Sequence, residues 1–235
     1  MKTALCLHKS DLFLEGLAHK VGTSTIYPRD YTRFVNNVLP KAIFAQRKTN
    51  NNDIEYNTSY YQIIPYVVFS IDGRLLSFTR NTGDKRLEGK LTVGLGGHIE
   101  SVDAFIAQDT MSSAVYREIQ EEMPPLQELL PRDRRNLIPN AFIRTDSVET
   151  CKTHLGILYV VHTTLPEWRY FMSSFRDLKH FQKHCDKEIT ILPEALSYDA
   201  IINNPRSEEW TISVAKWLKE NTNEYQSSNI PLYDE

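Results

Sequence analysis

Arg117-Glu118-Ile119-Gln120-Glu121-Glu122 sets an arginine and three carboxylates within six consecutive residues. On a helix, Glu118, Glu121 and Glu122 stand at i, i+3 and i+4, so they share one face. At about 1.5 Å of rise per residue, the first and last lie about 6 Å apart along the axis. Carboxylates that close repel one another. A hard divalent cation reverses the sign of that energy, because Mg²⁺ and Mn²⁺ prefer oxygen ligands. Arg117 can grip one carboxylate in a two-pronged pair and fix its orientation. An acidic helix face alone is commonly just solvated surface, so the pattern gains meaning only from what precedes it.

What precedes it is glycine. Five of the nine glycines, Gly83, Gly89, Gly94, Gly96 and Gly97, fall within fifteen residues, and glycine lets backbone turn sharply or approach a ligand closely. Leu91–Leu95 reads as a strand running into Gly96-Gly97. The chain then switches to a helix over 109–123, which Pro124-Pro125 ends. Upstream, the apolar Ile63–Ser70 and Leu75–Arg80 flank Asp72-Gly73, a hairpin signal. Strands are expected near 140–144, 156–162 and 188–192. Helices are expected over 167–186 and 208–220, the latter with Trp210, Val214, Trp217 and Leu218 on one stripe. Strands interleaved with helices point to an α/β or α+β layered domain.

The strand, glycine turn and Arg-Glu-apolar-x-Glu-Glu helix resemble the Nudix box. Its pattern is Gly, five residues, Glu, seven residues, Arg-Glu-apolar-x-Glu-Glu-x-Gly-apolar. The stretches Tyr61–Phe69, Arg80–Lys90 and Val93–Ile99 further resemble a MutT-like subfamily described as predicted phosphoesterases, over residues 61–220. Two departures stand out. Nineteen residues separate Gly97 from Arg117 where the box has thirteen, and Pro124 replaces the final Gly. Counting forward from Gly97 the box Glu falls on Asp103; counting back from Arg117 it falls on Asp109.

The resemblance implies a Nudix-like α/β/α sandwich with a mixed β-sheet and an N-terminal extension. It implies that the carbonyl of Gly97 and the carboxylates of Glu118, Glu121 and Glu122 bind Mg²⁺ or Mn²⁺. The catalytic set it suggests is Glu121, Arg117 and a loop base, for which Glu188 is the first candidate and Asp186 the second. The expected reaction is hydrolysis of a diphosphate linkage in a nucleoside diphosphate derivative or similar phosphorylated metabolite. A non-catalytic sensor of nucleotides or sugar phosphates is the alternative. An isoprenoid diphosphate isomerase ranks below both, since Cys6, Cys151 and Cys185 lie in no fitting motif.

Arg80, Lys85 and Arg86 form a basic counterpart to the acidic helix and are candidates for substrate phosphate. His98, beside the glycine pair, is a candidate for substrate or for a carboxylate of the site. Cys151-x-x-His154 and His180-x-x-x-His184 have zinc-like spacing, but nothing in the sequence brings the pairs together, so no structural zinc is expected.

The chain has 235 residues, with 27 Lys and Arg against 30 Asp and Glu and a net charge of −3. That balance argues against a dedicated nucleic-acid binder. Three widely spaced cysteines fit a reducing compartment. No apolar run reaches the ~18 residues a membrane span needs. A cytoplasmic protein acting on a small-molecule diphosphate is expected, with a homodimer possible. The expected organisation is an N-terminal extension over 1–58 packed on a main domain over 59–222, with a flexible tail over 223–235.

Overall fold

A computed structural model describes residues 2–18, 20–47, 54–79, 88–106, 110–146, 152–173, 175, 177–184 and 193–227. Its centre is β4 (Tyr60–Ile71), twelve residues with all but the first buried. Strands covered on both faces read as continuous apolar runs, which is why Ile63–Ser70 does not alternate with polar residues. Along one edge, β4 pairs in parallel with β9 (His154–Thr163) over ten residues, from Gln62↔His154 to Ile71↔Thr163. Along the other edge three antiparallel partners follow in turn. They are β1 (Thr3–His8) at Tyr60–Gln62, β7 (Gly94–Gly96) at Tyr66–Val68, and β5 (Arg74–Thr79) at Ser70–Ile71. The expected Asp72-Gly73 turn joins β4 to β5, with Asp72 at φ 44° and Gly73 at φ 76°. Further strands are β2 (Gly22–Thr25), β3 (Ile43–Gln46), β6 (Leu91–Thr92), β8 (Ala141–Arg144) and β10 (Glu194–Ser197). The long path runs β10-β5-β4-β9-β8-β2, a mixed sheet.

Period-two geometry divides the strand residues between two apolar layers. Ile63, Val67, Phe69, Ile157 and Tyr159 enter the larger layer, which includes Met111, Ala114, Val115 and Ile119 of α4 (Thr110–Glu122). Tyr66, Val68, Ile143 and Leu158 enter the other, under α7 (Tyr198–Ile202) and α8 (Glu209–Ser227), through Val214, Ala215, Trp217 and Leu218. Helices thus cover both faces of a mixed sheet, the α/β sandwich expected. The first 58 residues contribute β1, β2 and β3 to the sheet and add α1 (Lys9–Leu14) and α2 (Pro28–Arg33), which continues as a π turn over Phe34–Val38.

The helix expected over 167–186 is instead two, α5 (Leu165–Ser173) and α6 (Leu178–His184). Asp177 restarts it: its carboxylate accepts from the His180 amide at 2.8 Å and its carbonyl from the Phe181 amide, an N-cap arrangement that favours a fresh first turn. The strand expected near 188–192 lies outside the described residues. α8 continues past 220 to Ser227.

Candidate functional site

α4 lies on the sheet through Met111, Ala114, Val115 and Ile119, all 1% exposed or less. That fixes Arg117, Glu118 and Glu121 along its flank beside the glycine turn. Between α4 and the turn lies a four-residue helix, α3 (Asp103–Ile106). Asp103 is wholly buried, and its carboxylate accepts from Arg117 through Nε and Nη2, both at 2.9 Å. The same carboxylate accepts from the Glu100 amide at 2.8 Å. Asp103 therefore ties the loop after Gly97 to α4. Five residues separate Gly97 from Asp103, the count expected forward from the glycine. Asp109 lies outside the described residues.

Arg117 uses its remaining hydrogens within the same cluster. Nη1 donates to Glu118 Oε1 at 2.7 Å and lies 3.5 Å from Glu121 Oε2, while Nη2 also donates to the carbonyl of His98 at 2.8 Å. Burial opposes the guanidinium charge, but the hydrogen bonds and charges of Asp103 and Glu118 outweigh it, so the group is held more firmly protonated than a free arginine. Glu118 is half-buried, and burial raises its carboxyl above the usual range. Arg117 pulls it back down, and the charges of Glu121 and Asp103 push it up again. Glu121 is 60% exposed and is the carboxylate most open to a ligand of the three on α4. Glu122 is half-buried.

Gly97 faces Glu118 directly. A Cβ built there would lie 2.4 Å from the Glu118 carboxylate, so the absent side chain is what admits that carboxylate to the turn. Three carboxylates and a carbonyl are the donors a hard cation prefers, and on donor chemistry the residues fit one. In the described arrangement Glu118 and Glu121 turn toward Arg117. Among the described residues, the group whose ligand-type atoms all lie within 4.8 Å of one another is a different one, Glu55, His98 and His154.

His98 turns away from α4. Its imidazole stands edge-on to that of His154, with ring centres 5.5 Å apart, and its Nε2 is buried with no hydrogen-bond partner. Burial, helped by the positive charges of Arg47, Lys2 and Arg117, holds it well below the ordinary histidine range, and so neutral. The structure thus brings together Gly97, Asp103, Arg117, Glu118 and Glu121, and gathers His98 with Glu55 and His154. Sequence reasoning missed Glu55 and paired His154 with Cys151 rather than with His98. Arg80, Lys85, Arg86, Glu188, Asp186, Cys151 and Cys185 lie outside the described residues.

Comparison with known proteins follows the geometry. No family model matches the chain. Protein YmaB of Bacillus subtilis (strain 168) is 27% identical over 127 residues, which is 53% of this chain and 60% of that protein. The match therefore spans less than two thirds of the relative's length. Among solved structures, Tm1382, a provisionally assigned Nudix hydrolase, superposes with a TM-score of 0.61 at 18% identity, covering 93% of this chain and 98% of its own. The chain has a Nudix-like α/β fold. Among the described residues, no helix is long and apolar enough to cross a membrane.

Proposed function

We propose that the chain is a Nudix-type hydrolase that cleaves a diphosphate linkage in a nucleoside diphosphate derivative or similar phosphorylated metabolite, with Mg²⁺ or Mn²⁺ held by Glu118, Glu121, Glu122 and the carbonyl of Gly97. The observation that carries this reading is the hub at Arg117, which holds Asp103, Glu118 and the backbone of the glycine turn in one hydrogen-bonded unit. A bound cation would neutralise charge on the diphosphate and acidify a water. The residues' own part is positional. Arg117 orients Glu118, Gly97 leaves room for it, and the exposed Glu121 faces the ligand and is placed to accept a proton. Arg80, Lys85 and Arg86 are the proposed phosphate contacts, and Glu188 the proposed loop base.

The test is phosphate or nucleotide release from a panel of nucleoside diphosphate derivatives, with Mg²⁺ or Mn²⁺, for wild type and Glu121→Gln. Turnover is expected in wild type and a loss of at least about a hundredfold in the variant, the scale of removing a positioned proton acceptor. No turnover on any member of the panel, or equal turnover in both proteins, would sink the proposal. One observation favours the second reading, a metal-free sensor: Arg117 itself already neutralises Glu118 and approaches Glu121. Ligand binding that needs no cation and yields no product is the outcome that would select it.

A further inference from the structure

Glu55, His98 and His154 come from three separate parts of the chain. Glu55 sits in a single turn at Ile54–Tyr56, His98 follows the glycine pair, and His154 opens β9. Their ligand-type atoms fall within 4.8 Å of one another, and none of the three residues is fully exposed. His154 Nε2 lies 4.0 Å from Glu55 Oε2. A buried imidazole nitrogen without a partner costs free energy, and His98 Nε2 is one such atom. A ligand at this spot would satisfy it.

Neighbouring groups hold two of the three side chains in place. The Thr153 hydroxyl donates to the carbonyl of Glu55 at 3.1 Å and lies 3.3 Å from His154 Nδ1. The other ring nitrogen of His154, Nε2, is the atom on the Glu55 side, 4.0 Å from Glu55 Oε2. Fixing an imidazole through its second nitrogen is how metal-binding histidines are commonly oriented. Glu55 uses both oxygens: Oε1 accepts from Arg47 Nε at 2.8 Å, whereas Oε2 accepts from the Gln62 amide at 3.4 Å and lies 4.0 Å from His154 Nε2. Arg47 thus anchors the Glu55 side chain beside the two histidines.

We propose that His98 Nε2, His154 Nε2 and Glu55 Oε2 form a binding site for a zinc-type divalent cation, separate from the carboxylates of α4. Two imidazoles and one carboxylate suit Zn²⁺, Co²⁺ or Ni²⁺ rather than Mg²⁺ or Ca²⁺. Bonds of about 2.1 Å in tetrahedral geometry place ligand atoms about 3.4 Å apart. The observed spacings therefore need the side-chain ends to close by only about an ångström. The bound ion cross-links the first 58 residues to the glycine turn and to β9, and a water or added ligand completes its coordination.

The test measures metal on the full chain, not turnover, so it stands or falls independently of the hydrolase proposal. Chelator-stripped protein is dialysed against Zn²⁺ and its zinc measured by atomic emission, with Co²⁺ as a visible-absorption probe. Wild type is expected to retain one zinc per chain and to show a tetrahedral cobalt band. His154→Ala and Glu55→Gln are expected to lose both. Thr153→Val should weaken zinc about tenfold, the usual effect of removing a group that orients a ligand. The Glu118→Gln, Glu121→Gln, Glu122→Gln triple variant should bind zinc like wild type. No zinc on wild type, undiminished zinc in His154→Ala and Glu55→Gln, or zinc lost only in the α4 variant each overturns the proposal. If a cluster variant does not fold, wild type alone decides through its melting temperature. Zn²⁺ must raise it beyond any rise with Mg²⁺, and the absence of that further rise overturns the site.

Discussion

Arg117 and Asp103 meet in a two-pronged pair, Nε to Oδ1 and Nη2 to Oδ2 both at 2.9 Å, with the aspartate wholly buried. The pair joins the glycine turn to α4, since Asp103 also accepts from the Glu100 amide and Arg117 also donates to the His98 carbonyl. Removing one partner of a buried pair leaves an uncompensated charge. Asp103→Asn is therefore expected to cost about 3 kcal/mol, near the low end for such changes because Arg117 keeps Glu118. Urea unfolding measures it, and a loss below about 1 kcal/mol would show that the pair does not hold the turn.

Adjacent glycines should respond differently to the same methyl group. At Gly96 a Cβ would lie 2.2 Å from the Pro65 carbonyl oxygen, and at Gly97 it would lie 2.4 Å from the Glu118 carboxylate. Backbone within the β4–β7 pairing cannot give way, whereas a side-chain end can rotate. Gly96→Ala is expected to cost about 3 kcal/mol and Gly97→Ala about 1 kcal/mol. Gly97→Ala should nevertheless impair the proposed hydrolysis more than its small stability loss suggests, because it displaces Glu118 from Arg117. Unfolding curves for both variants, alongside turnover for Gly97→Ala, check the contrast. Equal stability losses would contradict it.

How much of this was legible in the sequence depended on distance along the chain. Arg117, Glu118 and Glu121 share one helix, and periodicity alone groups them. Asp103 was legible as a count of five residues from Gly97, and the inserted residues leave Asp109, outside the described residues, as an equal candidate. That β1 docks beside β4, with its Leu5 amide donating to the Ile99 carbonyl, was not legible, because such a contact is set by tertiary packing. β2, Gly-Thr-Ser-Thr, is half-buried throughout and shows no apolar alternation to find. Glu55, His98 and His154 are far apart in sequence and meet through the pairing of β7 and β9 with β4. Their convergence carries no local signal.

Cys6 gives a pH-dependent prediction. Burial raises its thiol from 9.0 to about 11; the Ala45 backbone and Arg47 oppose that, and the charge of Glu55 adds to it. Between those values the unfolded chain releases the proton and the native chain keeps it, so stability falls as pH rises from 9 toward 11. The loss attributable to Cys6 is about 2 kcal/mol. It should appear as a steeper alkaline decline for wild type than for Cys6→Ala in denaturant titrations. In the same way, native Cys6 should be alkylated about a hundredfold more slowly than the thiol in urea near pH 8, since only the thiolate reacts. Parallel pH profiles for the two proteins would contradict the assignment.

The ring of Tyr66 occupies the space that Gly94 leaves. A Cβ at Gly94 would lie 2.0 Å from the ring carbon that bears the hydroxyl, and that hydroxyl meets Thr92 Oγ1 at 3.2 Å. Tyr66 is 6% exposed and stands edge-on to Trp210, so the ring has little room to swing aside. Gly94→Ala is expected to cost about 3 kcal/mol through forced displacement of the ring. Tyr66→Phe, which keeps the ring and loses the buried hydroxyl contact, should cost about 1 kcal/mol. The clash is specific to the pair, so Gly94→Ala should be nearly harmless once Tyr66→Ala has removed the ring. A double-mutant cycle should therefore give a favourable coupling of at least about 1 kcal/mol. Additive losses would mean that Gly94 is required by the backbone alone. Coupling would show that Tyr66 and Gly94 together seat β7 on β4, and so set where the Gly96-Gly97 turn begins.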